Sequence, residues 1–284
     1  MKQITACVDG SNGAAAVCDA GSWASTRLEQ PLQLLHVLEK QDNSETNLSG
    51  SIGLGSREHL LQQLTELDAQ RARLALESGR LMLDAAQVRA QQSGASNVTS
   101  LQRHGRLSEE VTAIESTSSL LVLGRLGEDH IDPQAATLGS QLETVLRTVQ
   151  CPVLITTGAE FTQPRSFMVA YDGSEASQRA LDAYASGDLL KGLPCHLVMV
   201  NHTDEAHVSM FNAAAERLRS EGFDVTTARL EGEVQPALAD YRREHDIDLI
   251  VMGAYGHSRI RQFFVGSHTR NMVSLSEVPL LLLR

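Results

Sequence analysis

The sequence predicts an α/β fold made of two tandem copies of one unit, each a mostly parallel five-stranded sheet flanked by helices. Three observations carry this prediction. One residue pattern occurs twice: Ile4-Thr5-Ala6-Cys7-Val8-Asp9-Gly10-Ser11 returns as Phe167-Met168-Val169-Ala170-Tyr171-Asp172-Gly173-Ser174. Each copy closes on an apolar run introduced by proline, Pro152-Val153-Leu154-Ile155 and Pro279-Leu280-Leu281-Leu282. Between these marks, short Val/Ile/Leu-rich runs alternate with longer amphipathic stretches, the pattern of βαβ units around buried parallel strands.

In chain order, the first copy reads as strands over 3–8, 32–38, 97–102, 119–124 and 152–157. The second reads as strands over 166–171, 196–201, 224–229, 247–252 and 279–283, with helical spacing over 175–190, 205–221 and 234–245. Pro236 suits the first turn of the last of these, where a missing N–H costs little. The Asp-Gly-Ser motifs lie 163 residues apart (9 to 172) and the later glycine motifs 129 apart (124 to 253), so the first copy holds 34 extra residues between those points. They fall within 40–92, where 44–56 is a Gly/Ser/Asn-rich loop and 57–92 a long Leu- and Gln-rich helical stretch. Leu60, Leu64, Leu67, Leu74 and Leu81 mark one face of it, and Gly79 is placed to break it into two helices. Two roles are open for this face, covering the sheet or serving a partner or dimer seam. The domain boundary is expected at 158–165, giving domains 1–160 and 161–284.

The formal charge is -11, shared as about -7 for 1–160 and -4 for the remainder, so neither half is a basic nucleic-acid-binding body. Cys7, Cys18, Cys151 and Cys195 form no CxxC pair and read as free buried thiols, which fits a reducing compartment. The first residues run directly into a strand with no signal-type core, and no apolar run approaches membrane-spanning length. A cytoplasmic location without nucleic-acid or membrane partners is the expectation.

The segment Gly253-x2-Gly256-x9-Gly266-Ser267 directly follows a predicted strand. Glycines there let main-chain N–H groups approach a ligand, and the helix that follows offers unpaired N–H groups and a positive dipole end, which suits polyphosphate. Arg259 and Arg261 with no carboxylate give this loop a charge of +2 in an acidic protein. The bland alternative is that the glycines only permit tight strand-to-helix packing.

These residues together resemble the universal stress protein family in its tandem two-domain form, and the glycine spacing is that of its ATP-binding branch. The resemblance spans essentially the whole chain. It implies a Rossmann-like fold, related to the adenine nucleotide alpha hydrolases, with ATP at the carboxyl ends of the strands. By similarity, Ala170 and Asp172 border adenine and ribose, and the main chain at Val200 contacts adenine. Gly253, Gly256, Gly266 and Ser267 hold ribose and phosphates, and Met252, His257, Arg259 and His268 complete the expected contact set. The family also pairs last strand with last strand between domains, here 152–157 with 279–283.

The first-copy loop, Gly124-x2-Gly127-x11-Gly139-Ser140, is two residues longer and carries Glu128, Asp129 and Asp132 against Arg125, a charge of -2. Carboxylates repel polyphosphate, so this copy is expected to be degraded as a nucleotide site while Asp9 keeps its place. His202 with His207, and His130 with Asp129 and Asp132, are the histidine groupings worth weighing, but no zinc-type spacing is present. Magnesium accompanying ATP is the better expectation, because it borrows phosphate oxygens. No GxxxxGK[ST] and no evident water-activating base appear, so a binding module is favoured over an enzyme. The rival readings are a slow ATPase or phosphotransferase using the same cleft, and a nucleotide-independent protein whose first-domain insertion captures a protein partner or forms a homodimer.

Overall fold

The computed structural model describes residues 2–39, 54–127, 140–202, 204–253 and 267–283, with the side chains of 54–61, 140, 267 and 268 outside the description. The first half runs β1 (Gln3–Cys7), α1 (Ala14–Leu28), β2 (Leu32–Leu38), α2 (Leu54–Gln92), β3 (Val98–His104), α3 (Leu107–Ile114), β4 (Ser118–Gly124), α4 (Ser140–Thr148) and β5 (Val153–Thr156). The second runs β6 (Phe167–Ala170), α5 (Glu175–Ala185), β7 (Cys195–Val200), α6 (Glu205–Ser220), β8 (Val225–Leu230), α7 (Val234–Glu244), β9 (Leu249–Gly253), α8 (Ser267–Leu275) and β10 (Leu280–Leu283). Each strand falls within two residues of the span its apolar run predicts. Pro236 lies in the first turn of α7, and α5 stops at Ala185, five residues short of the expected end.

All ten strands join one sheet in the order β3-β2-β1-β4-β5-β10-β9-β6-β7-β8. Pairing is parallel within each half, and the halves meet through the antiparallel pair β5–β10, with Leu280 opposite Ile155, Leu281 opposite Leu154 and Leu282 opposite Val153. This is the last-strand pairing the resemblance implies. Alternate residues enter opposite layers, as period-two geometry requires. Leu120, Val122, Leu154, Phe167 and Val169 pack with α1, α2, α5 and α6, whereas Leu121, Leu123, Val153, Ile155 and Met168 face α3, α4, α7 and α8. Leu281 and Phe167 share one buried cluster with Ile4 and Trp23, so the core is continuous across the halves.

One expectation for α2 is corrected, and one question left open is answered. It is one uninterrupted helix of 39 residues, against 16 for its counterpart α6, so Gly79 does not break it. A Cβ at Gly79 would overlap the Gln102 amide and come within 2.7 Å of the His36 ring, so this glycine allows the helix to approach β2 and β3 closely. The open question is which way the leucine face points, and it does not cover the sheet. Among the described residues of α2, Gly79, Leu83, Ala86 and Ala90 are buried, while Leu64, Leu67, Leu74 and Leu81 are exposed.

Candidate functional site

Within the second half the chain passes from β6 to β7 on one side and returns through α7 to β9 on the other, so strand order reverses between β6 and β9. In open parallel sheets the crevice at such a reversal, at the carboxyl ends of the strands, is where ligands collect. Ala170 ends β6 opposite Met252 on one side and Val198 on the other, and Val200 extends the neighbouring strand by two residues. Ala170, Val200 and Met252 therefore share one edge of the sheet, with Asp172 just beyond it.

Tyr171 turns into the core and leaves Asp172 exposed at the rim. The Ser174 N–H donates to Asp172 Oδ1 at 2.9 Å, and the Ser174 hydroxyl in turn accepts from the Ser177 N–H, capping α5. Partial burial works to raise the Asp172 carboxyl, but hydrogen bonding from Ser174 and Ser177 outweighs it and holds the group below its ordinary value. The rim thus presents a fixed, ionised acceptor, suited to a ribose hydroxyl rather than to a phosphate.

Gly253 closes β9 against the first turn of α5. A Cβ there would lie 2.6 Å from the Ala176 carbonyl oxygen and 2.9 Å from the Ser177 nitrogen, a backbone contact that only glycine permits. At the equivalent Gly124 the nearest contact would be 3.3 Å, so the two glycines are not under the same constraint. Ser267 and His268 begin α8, which runs back beneath the sheet. Gly256, His257, Arg259 and Gly266 lie outside the described residues, as do His130, Asp129 and Asp132.

Residue spacing did not foretell the approach of α6 to this rim. A Cβ at Gly173 would come 3.2 Å from Met210 and 3.3 Å from His207, so both side chains lean over the Asp172–Gly173 turn. His207 stacks on His202 with ring centroids 4.5 Å apart and contacts Asp204 Oδ2 through Nδ1 at 2.5 Å. The pair named earlier for a metal is a stacked pair anchored by a helix-capping aspartate. Among the described residues no group of three His, Cys, Asp or Glu is placed to hold a metal.

The model of the universal stress protein family matches residues 1–157 and 200–284. The chain belongs to the universal stress protein family. It is 32% identical to Universal stress protein Slr1230 of Synechocystis sp., over the full length of both chains. Universal stress protein YxiE of Bacillus subtilis is 24% identical over 143 residues, which cover 41% of this chain and 97% of that relative. Among solved structures, a universal stress protein from Archaeoglobus fulgidus superposes with a TM-score of 0.74 at 19% identity, covering 99% of this chain and 98% of that one. A putative universal stress protein from Pseudomonas aeruginosa gives 0.62 at 15% identity, covering 100% and 93%.

As in the sequence comparison of its two loops, this universal stress protein treats its halves differently. Asp9 accepts from the Ser11 N–H at 3.1 Å and the Ser11 hydroxyl at 2.5 Å, and Gly127 packs beside its second oxygen. Arg125, the one cation of the first loop, crosses to the other half. Its Nη1 donates to the carbonyls of Ser276 at 2.8 Å and Ser274 at 3.2 Å, where α8 ends. Such a contact satisfies terminal helix carbonyls and matches the negative end of the helix dipole. The guanidinium thus binds across the interface between the halves.

Cys7, Cys18 and Cys195 are buried and Cys151 half-buried, all as free thiols. Burial foremost pushes the Cys7 and Cys195 thiols up to about 12 and Cys18 to about 11, which leaves them unreactive. No described helix is long and apolar enough to cross a membrane.

Proposed function

We propose that the protein binds ATP in its second half, at the carboxyl edge of β6, β7 and β9, as a cytoplasmic stress-response module whose nucleotide occupancy alters its contacts. The observation that supports this most is Asp172, a carboxylate kept ionised by its own turn beside the strand-order reversal. In this reading Asp172 accepts from the ribose, Ala170, Val200 and Met252 border the adenine, and Gly253 leads into the phosphate-binding segment. That segment brings Gly256, His257, Arg259 and Gly266 to the phosphates, and Ser267 and His268 supply N–H groups at the start of α8. Magnesium would arrive with ATP and take most of its ligands from phosphate and water. The domain 1–160 is proposed as the structural or partner-facing half, its insertion at 40–92 and its acidic loop replacing a second equal pocket.

Isothermal titration with Mg-ATP tests the reading. Asp172→Ala should weaken binding about 10- to 100-fold, the worth of a charge-assisted hydrogen bond, and Gly266→Val with Ser267→Ala should abolish it. Absence of binding by the unaltered chain, or equal affinity in both variants, would refute the assignment.

A further inference from the structure

Helix α2 presents its apolar stripe on the wrong side for packing against its own domain. Leu67, Leu74, Leu81 and Val88 recur at intervals of seven and are 49%, 66%, 57% and 53% exposed. Leu60 holds the preceding position of the same spacing in the sequence. At about 100° per residue, Leu83 lies roughly 180° around the helix from Leu74, and Leu83 is the one buried against the sheet. The outward face of a domain helix is ordinarily polar, and here it carries the leucines.

The helix also runs beyond its support. From 62 to 75 every residue is exposed except the half-buried Asp68, so about 21 Å of helix at 1.5 Å per residue precedes the first contact with the sheet among the described residues, where the Leu76 carbonyl accepts from Gln102 Nε2 at 3.4 Å. A single helix of this length draws little stability from its backbone alone. Two helices supercoil on apolar residues at two alternating positions of a seven-residue repeat; here Leu67, Leu74, Leu81 and Val88 fill one position, and Leu64, Arg71, Ser78 and Ala85 fill the other.

We propose that α2 is a self-association element through which two copies of the chain pair as an antiparallel coiled coil centred near residues 72–73. The charges along the seam select this occupant and this direction. A parallel pair would set Arg71 against Arg71 of the second copy. The antiparallel pair instead brings Arg71 of each chain within reach of Glu77 of the other, twice by symmetry, and places Leu64 against Leu81. The Arg71 side chain is 73% exposed and its ion pair to Asp68 is long, at 3.8 Å, so the guanidinium can turn to this contact. The stripe also continues past the free segment onto the supported one, at Leu81 and Val88. An antiparallel second copy covers both, because its own free segment lies along the supported half of its neighbour. The association is distinct from the β5–β10 pairing, which is already satisfied within one chain.

Sedimentation velocity across a micromolar concentration series tests the proposal. The chain should behave as a dimer of the 30.8 kDa protomer, and Leu67→Glu with Leu74→Glu should raise the dissociation constant at least about 100-fold, without changing the unfolding transition of the body reported by Trp23 fluorescence. Arg71→Glu alone should weaken the dimer, and adding Glu77→Arg should restore it. A monomer at all concentrations overturns the proposal, as does a dimer indifferent to the leucine substitutions. Failure of the charge swap to restore association overturns the antiparallel arrangement.

Discussion

At the scale of single residues, several side chains are set by neighbours that lie far away in sequence. Asp172 was identifiable because its hydrogen-bonding serine is two positions on, whereas the partners of Arg125 are some 150 residues away. His196 is a similar case. It lies on β7 and faces α7, with Nδ1 3.0 Å from the Tyr241 hydroxyl and its ring 5.3 Å from that of His245. Burial, followed by the charge of His245, lowers its proton affinity below the ordinary value. The unfolded chain then binds more protons than the folded one just below pH 6.5, so this site contributes stability that is present above that pH and lost on acidification. Thermal unfolding midpoints at pH 7.5 and 5.5 should accordingly differ by less in His196→Gln than in the unaltered protein. An equal or larger difference would exclude His196 as a source of acid sensitivity.

Among the elements, the strands were legible because buried parallel strands read as continuous apolar runs, and that pattern fixes their positions closely. Helix α2 was legible as a long helix, but its orientation was not. Both Leu74 and Leu83 are leucines, and only the contact with β2 and β3 determines which faces inward. Gly79 shows the same difficulty, since a glycine in a helix signals weakness by propensity and close approach by tertiary contact. By propensity alone, Gly79→Ala should stabilise the helix by roughly 1 kcal/mol. The added Cβ would instead meet Gln102 and the buried His36, which is anchored by its contact with the Val8 carbonyl at 2.9 Å. Overpacking of this kind costs about 1–3 kcal/mol, so denaturant unfolding should give a lower midpoint for Gly79→Ala. A higher midpoint would show that the helix has room to move.

For the whole molecule, the joining of two five-stranded sheets by β5 and β10 makes the halves one folding unit. Each of these strands would otherwise be an exposed apolar edge, and Val153, Leu154, Ile155, Leu281, Leu282 and Leu283 occupy clusters containing side chains from both halves. Trp23 is the single tryptophan and packs 5.8 Å from Phe161, so its fluorescence reports on the first half and the link that follows it. Leu281→Ala in the second half should cost about 2–5 kcal/mol and shift the Trp23 fluorescence and far-ultraviolet dichroism transitions together. Two separated transitions would mean that the halves unfold independently.

Taken by itself, the sequence determined the tandem repeat, the placement of the strands, the acidic and lengthened first loop, and Asp172 at the end of a strand. All of these depend on local pattern or on comparing one copy with the other, and both survive in a linear string. Tertiary structure alone decided which face of α2 meets the sheet, why Gly79 and Gly253 must lack a side chain, and where Arg125 spends its charge. Those outcomes depend on distances between elements remote in the chain, and period-based reading carries no information about such distances.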